Sequence, residues 1–298
     1  MNKRLMAIFL AILAAGLYAI NIPLSKLLLN YIDPSMMASY LYLGAGLGIG
    51  ILSLIKRKKD GVATYERITK KDMPNVLGMI VLDICAPILL MFGLLYSASS
   101  NASLLNNFEI VCTSLIALLI FKEAVSKRMW LAIALITLSS FFLSFDDISA
   151  FKFSWGAIFV LLATVCWGLE NNCTKNLSNK NTYQVVFIKG IFPGLGSLIV
   201  ALCLRERFAS ILYFVSALLL GFVAYGLSIF FYIKAQGIIG ASKTSAYYAV
   251  APFIGTSLSF VIFRETPTPT YFVGLAIMIL GTAIVIVDTL AQKHEHRH

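Results

Sequence analysis

The sequence predicts an all-α membrane protein: ten transmembrane helices arranged as two inverted five-helix repeats. Three observations lead there. Only 13% of the 298 residues are charged while 59% are hydrophobic, and the mean hydropathy is +0.85; a soluble domain carries about 25% charged residues. Apolar stretches of about 20 residues, each enough to cross a ~30 Å hydrocarbon core, recur from end to end. The third observation is that features of the first half return in the second.

The spans read as 6–28, 35–55, 76–97, 101–121 and 128–145, then 155–175, 183–203, 210–235, 242–263 and 268–289. Each is expected to be helical, because lipid offers no partner to an open N–H or C=O. The connections are too short for a soluble domain. Lys3-Arg4 followed by an apolar run resembles a signal peptide. The run exceeds the usual signal core of roughly 7–15 residues and lacks a small-x-small cleavage site, so retention is expected.

A net charge of +10 could suggest a nucleic-acid partner, but the basic residues sit in alternate connections. With the N-terminus in the cytoplasm, 17 Lys and Arg fall on that side and four on the other. The positive-inside rule then places both termini in the cytoplasm of a multi-pass cytoplasmic (inner) membrane protein whose partner is the bilayer, not nucleic acid. Cys85, Cys112, Cys166, Cys173 and Cys203 lie in spans without metal-ligand spacing and read as packing residues. The tail His294-Glu295-His296-Arg297-His298 reads as solvated. Neither a metal nor a cofactor is expected.

The internal repeat fixes the architecture. A shift of 149 lays Tyr18-Ala19 on Trp167-Gly168 and Lys26 on Lys175; a shift of 148 lays Gly46 and Gly48 on Gly194 and Gly196. A shift of 142 lays Phe121-Lys122-Glu123 on Phe263-Arg264-Glu265. The halves are 1–148 and 149–298. Five helices per half is odd, so the second copy enters the membrane from the opposite face, the recurring plan of secondary transporters. Lys26 and Lys175, near opposite surfaces, read as snorkelling anchors.

Tyr18-Ala19-x6-Lys26, Trp167-Gly168-x6-Lys175, the Phe-(Lys/Arg)-Glu endings and the last helix with Gly281 resemble the EamA branch of the drug/metabolite transporter superfamily. The resemblance covers nearly the whole chain. It implies a central cavity formed mainly by the first, third and fourth helices of each repeat, and import or export of a metabolite. Relatives often carry Pro midway along the fourth helix of each repeat. Span 9 has Pro252, whereas span 4 has Asn106-Asn107-Phe108-Glu109.

Ionisable groups within spans are functional candidates by default. Glu109 lies about 12 Å into span 4, at 1.5 Å per residue, with no basic residue at its depth. It is either a proton-coupling or cation-binding carboxylate, or a neutral structural group held through Asn106 or Asn107. Glu170, Asp83 and Lys189 fall at one depth and could form a buried cluster; one Lys cannot neutralise two carboxylates, so a proton or a cation would complete the set. An inert Glu170–Lys189 pair is the alternative. Tyr18, Trp167, Tyr247 and Tyr248, with Asn21, Asn106 and Asn171, are candidate cavity walls, since aromatic faces attract organic cations; polar glue between helices accounts for the Asn residues equally well. Tyr31, Tyr213 and Tyr271 read as an interfacial belt. The glycines of spans 2 and 7 mark close helix contacts or bending points.

The chain has no Gly-x4-Gly-Lys-Ser/Thr loop, no His-Glu-x-x-His within an apolar helix and no Gly-x-Ser-x-Gly elbow, so ATP-driven transport or intramembrane hydrolysis is not expected. The expected function is secondary active transport by alternating access. The solute is a small cationic or zwitterionic metabolite such as an amino acid or amine, proton-coupled through Glu109 with Glu170 and Asp83 second. An uncoupled facilitator or exchanger of the same fold, a non-transporting receptor or subunit, and a lipid-acting membrane enzyme are the alternatives.

Overall fold

The computed structural model describes residues 3–60, 68–122, 126–147, 152–177, 180–239, 244 and 247–295. Glu123, Lys243, the boundary between residues 148 and 149, and the terminal His296-Arg297-His298 lie outside them. Spans 1 to 5 are built from α1 (Lys3–Ala19) with α2 (Asn21–Leu28), α3 (Pro34–Asp60), α4 (Met73–Tyr96), α5 (Ser99–Leu105) with α6 (Phe108–Phe121), and α7 (Lys127–Leu143). Spans 6 to 10 are α8 (Trp155–Asn176), α9 (Thr182–Cys203), α10 (Ile211–Gly221) running through a π-helical turn (Phe222–Leu227) into α11 (Ser228–Ile239), α12 (Ala251–Phe263) and α13 (Pro269–Glu295). Among the described residues eight of these segments are long and apolar enough to cross a membrane, and α12 is a shorter apolar helix. One small departure from all-α is a two-stranded hairpin after α7, pairing Phe145 with Phe153.

The packing carries the inverted symmetry. Span 2 packs on span 7, span 4 on span 9, span 5 on span 10, span 3 on span 6 and span 1 on span 8. Adding five to every span number returns the same set of pairs, as a twofold axis in the membrane plane requires. Lipid-facing sides are apolar, as at Phe9, Leu54, Leu119 and Val261, all more than half exposed.

Without a hydrophobic drive between helices in lipid, close approach of backbones supplies the contact energy. Gly46 and Gly190 bring α3 and α9 together: a Cβ on Gly190 would lie 2.3 Å from Gly46 N. Gly93 of α4 and Gly156 of α8 meet likewise, with 2.7 Å from a Cβ on Gly156 to Gly93 O. These glycines are joints of contact between halves.

Two spans expected as continuous helices are broken. Span 1 breaks at Ile20, because Pro23 has no N–H to give the carbonyl of Ala19 one turn earlier. Span 4 breaks at Asn106-Asn107, where the ladder tightens to turn-like bonds: Asn107 N to Leu104 O (3.0 Å) and Glu109 N to Asn106 O (3.1 Å). Asn favours such turns because its side chain competes with the helical ladder. Tyr31 and Tyr213 stack at 4.1 Å at one end of the bundle. Tyr271, near the start of α13, turns inward instead and is buried edge-on against Phe260 at 5.3 Å.

Gly190→Val should destabilise the protein by at least about 1–3 kcal/mol, the cost of ordinary overpacking, and so lower its thermal midpoint in detergent, because backbone must part. Gly16→Ala, with nothing within 4 Å of the added methyl, should leave it unchanged or raise it. Differential scanning fluorimetry of the two variants checks the contrast.

Candidate functional site

The breaks meet at the centre of the bundle, around side chains from both halves. Span 4 brings Asn106 and Glu109 there on either side of its break. Tyr18 ends α1 and Asn21 begins α2, while Tyr225 sits in the π-helical turn of span 8. Such turns widen the helix by one residue and frequently mark functional sites. Asn106 Nδ2 donates to Tyr18 Oη (3.2 Å), and Asn21 Nδ2 donates to Tyr225 Oη (3.0 Å). The ring of Tyr18 stands edge-on to Tyr225 at 5.8 Å and lies 5.7 Å from Tyr248. Tyr248 shares a hydrogen bond with Ser228 (3.3 Å) and meets Tyr232 edge-on at 5.2 Å.

The chain of contacts continues into charge. Tyr225 lies 5.2 Å from the ring of Tyr42, whose hydroxyl donates to Asp83 Oδ1 at 2.9 Å. Lys189 Nζ stands 3.3 Å from Asp83 Oδ2 and 2.6 Å from Glu170 Oε1. Thr174 Oγ1 also donates to Glu170. Asp83 is fully buried and Glu170 nearly so. A lone charge in such surroundings costs several kcal/mol, and the shared ammonium offsets part of that for both carboxylates.

Glu109 is held differently. Asn171 Nδ2 donates to its Oε1 at 2.5 Å and reaches Thr113 Oγ1 at 3.3 Å. Sequence had offered Asn106 or Asn107 as its partner; the break turns those away and leaves an Asn from the other half instead. Among the described residues no cation pairs with Glu109.

The structure thus gathers Tyr18, Asn21, Asn106, Glu109, Asn171 and Tyr248 at one site, with Asp83, Glu170 and Lys189 beside it. Trp167 is buried in the same hydrophobic core as Tyr42 and Tyr225. Tyr247 is half-buried and, among the described residues, stays outside the network. Tyr42, Thr113 and Ser228 escaped sequence reading, since a lone hydroxyl in an apolar span looks like any packing residue. The π-turn that orients Tyr225 leaves no sequence mark.

The central cavity implied by resemblance is narrow here. A space of about 10 Å3, enough for one water molecule, is lined by Tyr18, Ala19, Ile22, Ser103, Asn106, Ala251, Pro252 and Gly255. Two of its oxygens, Ser103 Oγ and Asn106 Oδ1, are buried without a hydrogen-bond partner among the described residues. Buried polar atoms are rarely left so. The space is too small for a metabolite, and admitting a larger solute requires the helices to move.

A model of the EamA-like transporter family matches residues 5–145 and again 154–287. A protein from Methanothermobacter thermautotrophicus described as an uncharacterized transporter is 27% identical, covering 95% of this chain and 87% of the relative. The uncharacterized transporter YyaM of Bacillus subtilis is 25% identical over 87% of this chain and 86% of its own. A crystal structure of 14% identity superposes with a TM-score of 0.68 across 95% of this chain and 96% of its own, a likeness of fold.

Lys189→Met would leave Asp83 and Glu170 facing each other with no counter-charge. It should cost about 3–5 kcal/mol, and adding Asp83→Asn and Glu170→Gln should restore much of it. Chemical unfolding in mixed micelles measures both.

Proposed function

The chain belongs to the EamA-like transporter family, and we propose that it is a secondary active transporter of a small cationic or zwitterionic metabolite, coupled to protons through Glu109. The observation that carries this reading is the setting of Glu109. It is a carboxylate at a helix break, held by one amide across the two halves at 2.5 Å, with no cation paired to it among the described residues. A carboxylate so placed exchanges its neutralising partner: a proton in one state, a cationic group in another. Tyr18, Tyr225 and Tyr248 supply ring faces for an organic cation, and the unpartnered oxygens of Ser103 and Asn106 supply acceptors for its N–H groups. Three carboxylates, Asp83, Glu109 and Glu170, stand at the site with one amine, Lys189, which favours a solute bearing positive charge.

Alternating access follows from two similar, oppositely oriented halves meeting at this site. The asymmetry of Lys and Arg assigns the end where α4 finishes at Tyr96 to the outside, and both termini to the cytoplasm. The carboxylates act here by holding charge, and no bond-making chemistry is assigned to them.

Glu109→Gln should abolish uptake driven by a pH gradient in proteoliposomes, at least about a hundredfold below wild type, the scale on which a positioned proton-transfer group acts, while its thermal midpoint stays close to wild type. A screen of amino acids, amines, sugars and nucleotides by thermal shift should find its stabilising ligands among compounds with a positive charge. Undiminished pH-driven flux in the variant would end the role of Glu109; stabilisation confined to sugars or anions would end the assigned solute class.

A further inference from the structure

Three basic residues hold left-handed backbone: Lys122 (φ 55°), Arg205 (φ 59°) and Arg264 (φ 50°). That conformation carries a steric cost for any residue with a Cβ and points to a local task. Each stands just past the end of a spanning helix and is followed by glutamate. Glu123 lies outside the described residues; the other two carboxylates reach across to the opposite half. Glu206 accepts from Ser35 N (3.1 Å) and Met36 N (2.7 Å), capping α3. Glu265 accepts from Ser99 N (2.9 Å) and Ser100 N (3.2 Å), one oxygen to each, capping α5. The left-handed turn aims the carboxylate back at the neighbouring helix start, where N–H groups have no partners of their own.

The α5 cap has a counterpart of opposite charge. Between α4 and α5 only Ser97 and Ala98 intervene, both extended, so the last carbonyls of one helix and the first N–H groups of the next crowd a single joint. Lys26 Nζ donates to the carbonyl oxygens of Leu94, Leu95 and Ser97. Cation at a helix C-terminus and anion at a helix N-terminus each complement the helix dipole. Beneath the joint, Ser99 Oγ and Ser259 Oγ meet at 2.9 Å and Thr256 Oγ1 donates to Ser100 O at 3.3 Å, fastening α12 to α5. Directly below lie Ser103 and Asn106 and the cavity they line.

We propose that Lys26 and Glu265 are the latch of the outer gate. Held, they pin the α4–α5 joint between the halves and seal the cavity from outside. Released, they free α5 to swing from α12 and open the site. Glu206 is not part of the latch, because the α3 helix it caps is fixed to α9 by backbone contact at Gly46 and Gly190. This inference deepens the transporter reading above and rests on it.

The test is the rate at which a membrane-impermeant maleimide, added outside, labels Ser103→Cys in a background with the five native cysteines replaced by Ala. Glu265→Gln turns an amide N–H towards one of the two backbone N–H groups; Lys26→Met keeps length and removes the charge. Each should raise the labelling rate roughly tenfold or more, since a bond to a charged group is lost, and Glu206→Gln should not. Thermal midpoints select folded variants, so that either latch variant suffices. An unchanged rate in a folded Glu265→Gln or Lys26→Met protein overturns the proposal, as does equal acceleration by Glu206→Gln, which marks general loosening. Labelling needs no flux, so a failed latch is distinguished from a failed transporter by uptake in proteoliposomes of the wild type.

Discussion

Everything at the centre of this molecule answers to one constraint: a charge inside a lipid-embedded bundle must have a partner built for it. Lys189 of α9 meets Asp83 of α4 and Glu170 of α8 within 3.3 Å, so one ammonium ties together three helices drawn from both halves. That tie sets where α4 and α8 lie against each other. The glycine contact of Gly93 with Gly156 then lets their backbones close on it. Tyr42 completes the group by donating to Asp83, and through its ring joins the charged cluster to the tyrosines of spans 1, 8 and 9.

Broken helices convert this structural core into a candidate site. A continuous helix spends its N–H and C=O groups on itself; a helix interrupted at Ile20, at Asn106-Asn107 or by the π-turn at Phe222–Leu227 leaves some of them free or re-aims its side chains. The three interruptions fall together, and the polar side chains of the site cluster around them. Glu109 differs from the other two carboxylates in being held by an amide, with no cation paired to it among the described residues. In the proposed transport reading it is the member whose neutralisation is left to something that comes and goes. The small cavity lined by Tyr18, Ser103 and Asn106 fits a gated pathway, in which a larger solute enters only when an end opens.

Much of this could be read from residues alone, and the reasons are physical. Spans are legible because lipid demands long apolar helices. The inverted repeat is legible because Tyr18-Ala19 and Trp167-Gly168, or Phe121-Lys122-Glu123 and Phe263-Arg264-Glu265, keep their order at nearly constant offset. The meeting of Asp83, Glu170 and Lys189 followed from depth, since helical rise converts sequence position into distance from the surface. What could not be read depends on rotation and on local departures from regular helix. Depth says nothing of which side a residue faces, so Asn171 was not identified as the partner of Glu109. Lys26 was read as an anchor in the headgroups; its reach to the carbonyls of α4 depends on the two-residue joint at Ser97-Ala98. Tyr271 looked interfacial by position and is buried by its orientation.

The central claim is that two inverted halves open alternately at opposite ends around the shared polar site. Pulsed electron resonance of spin-label pairs tests it most directly: Asn30 with Thr266 across the end where α4 finishes, and Lys71 with Thr182 across the other, in reconstituted protein over a range of pH and with a stabilising solute. The account predicts two distances at each end, whose populations shift in opposite senses. One short distance at both ends under every condition would contradict it.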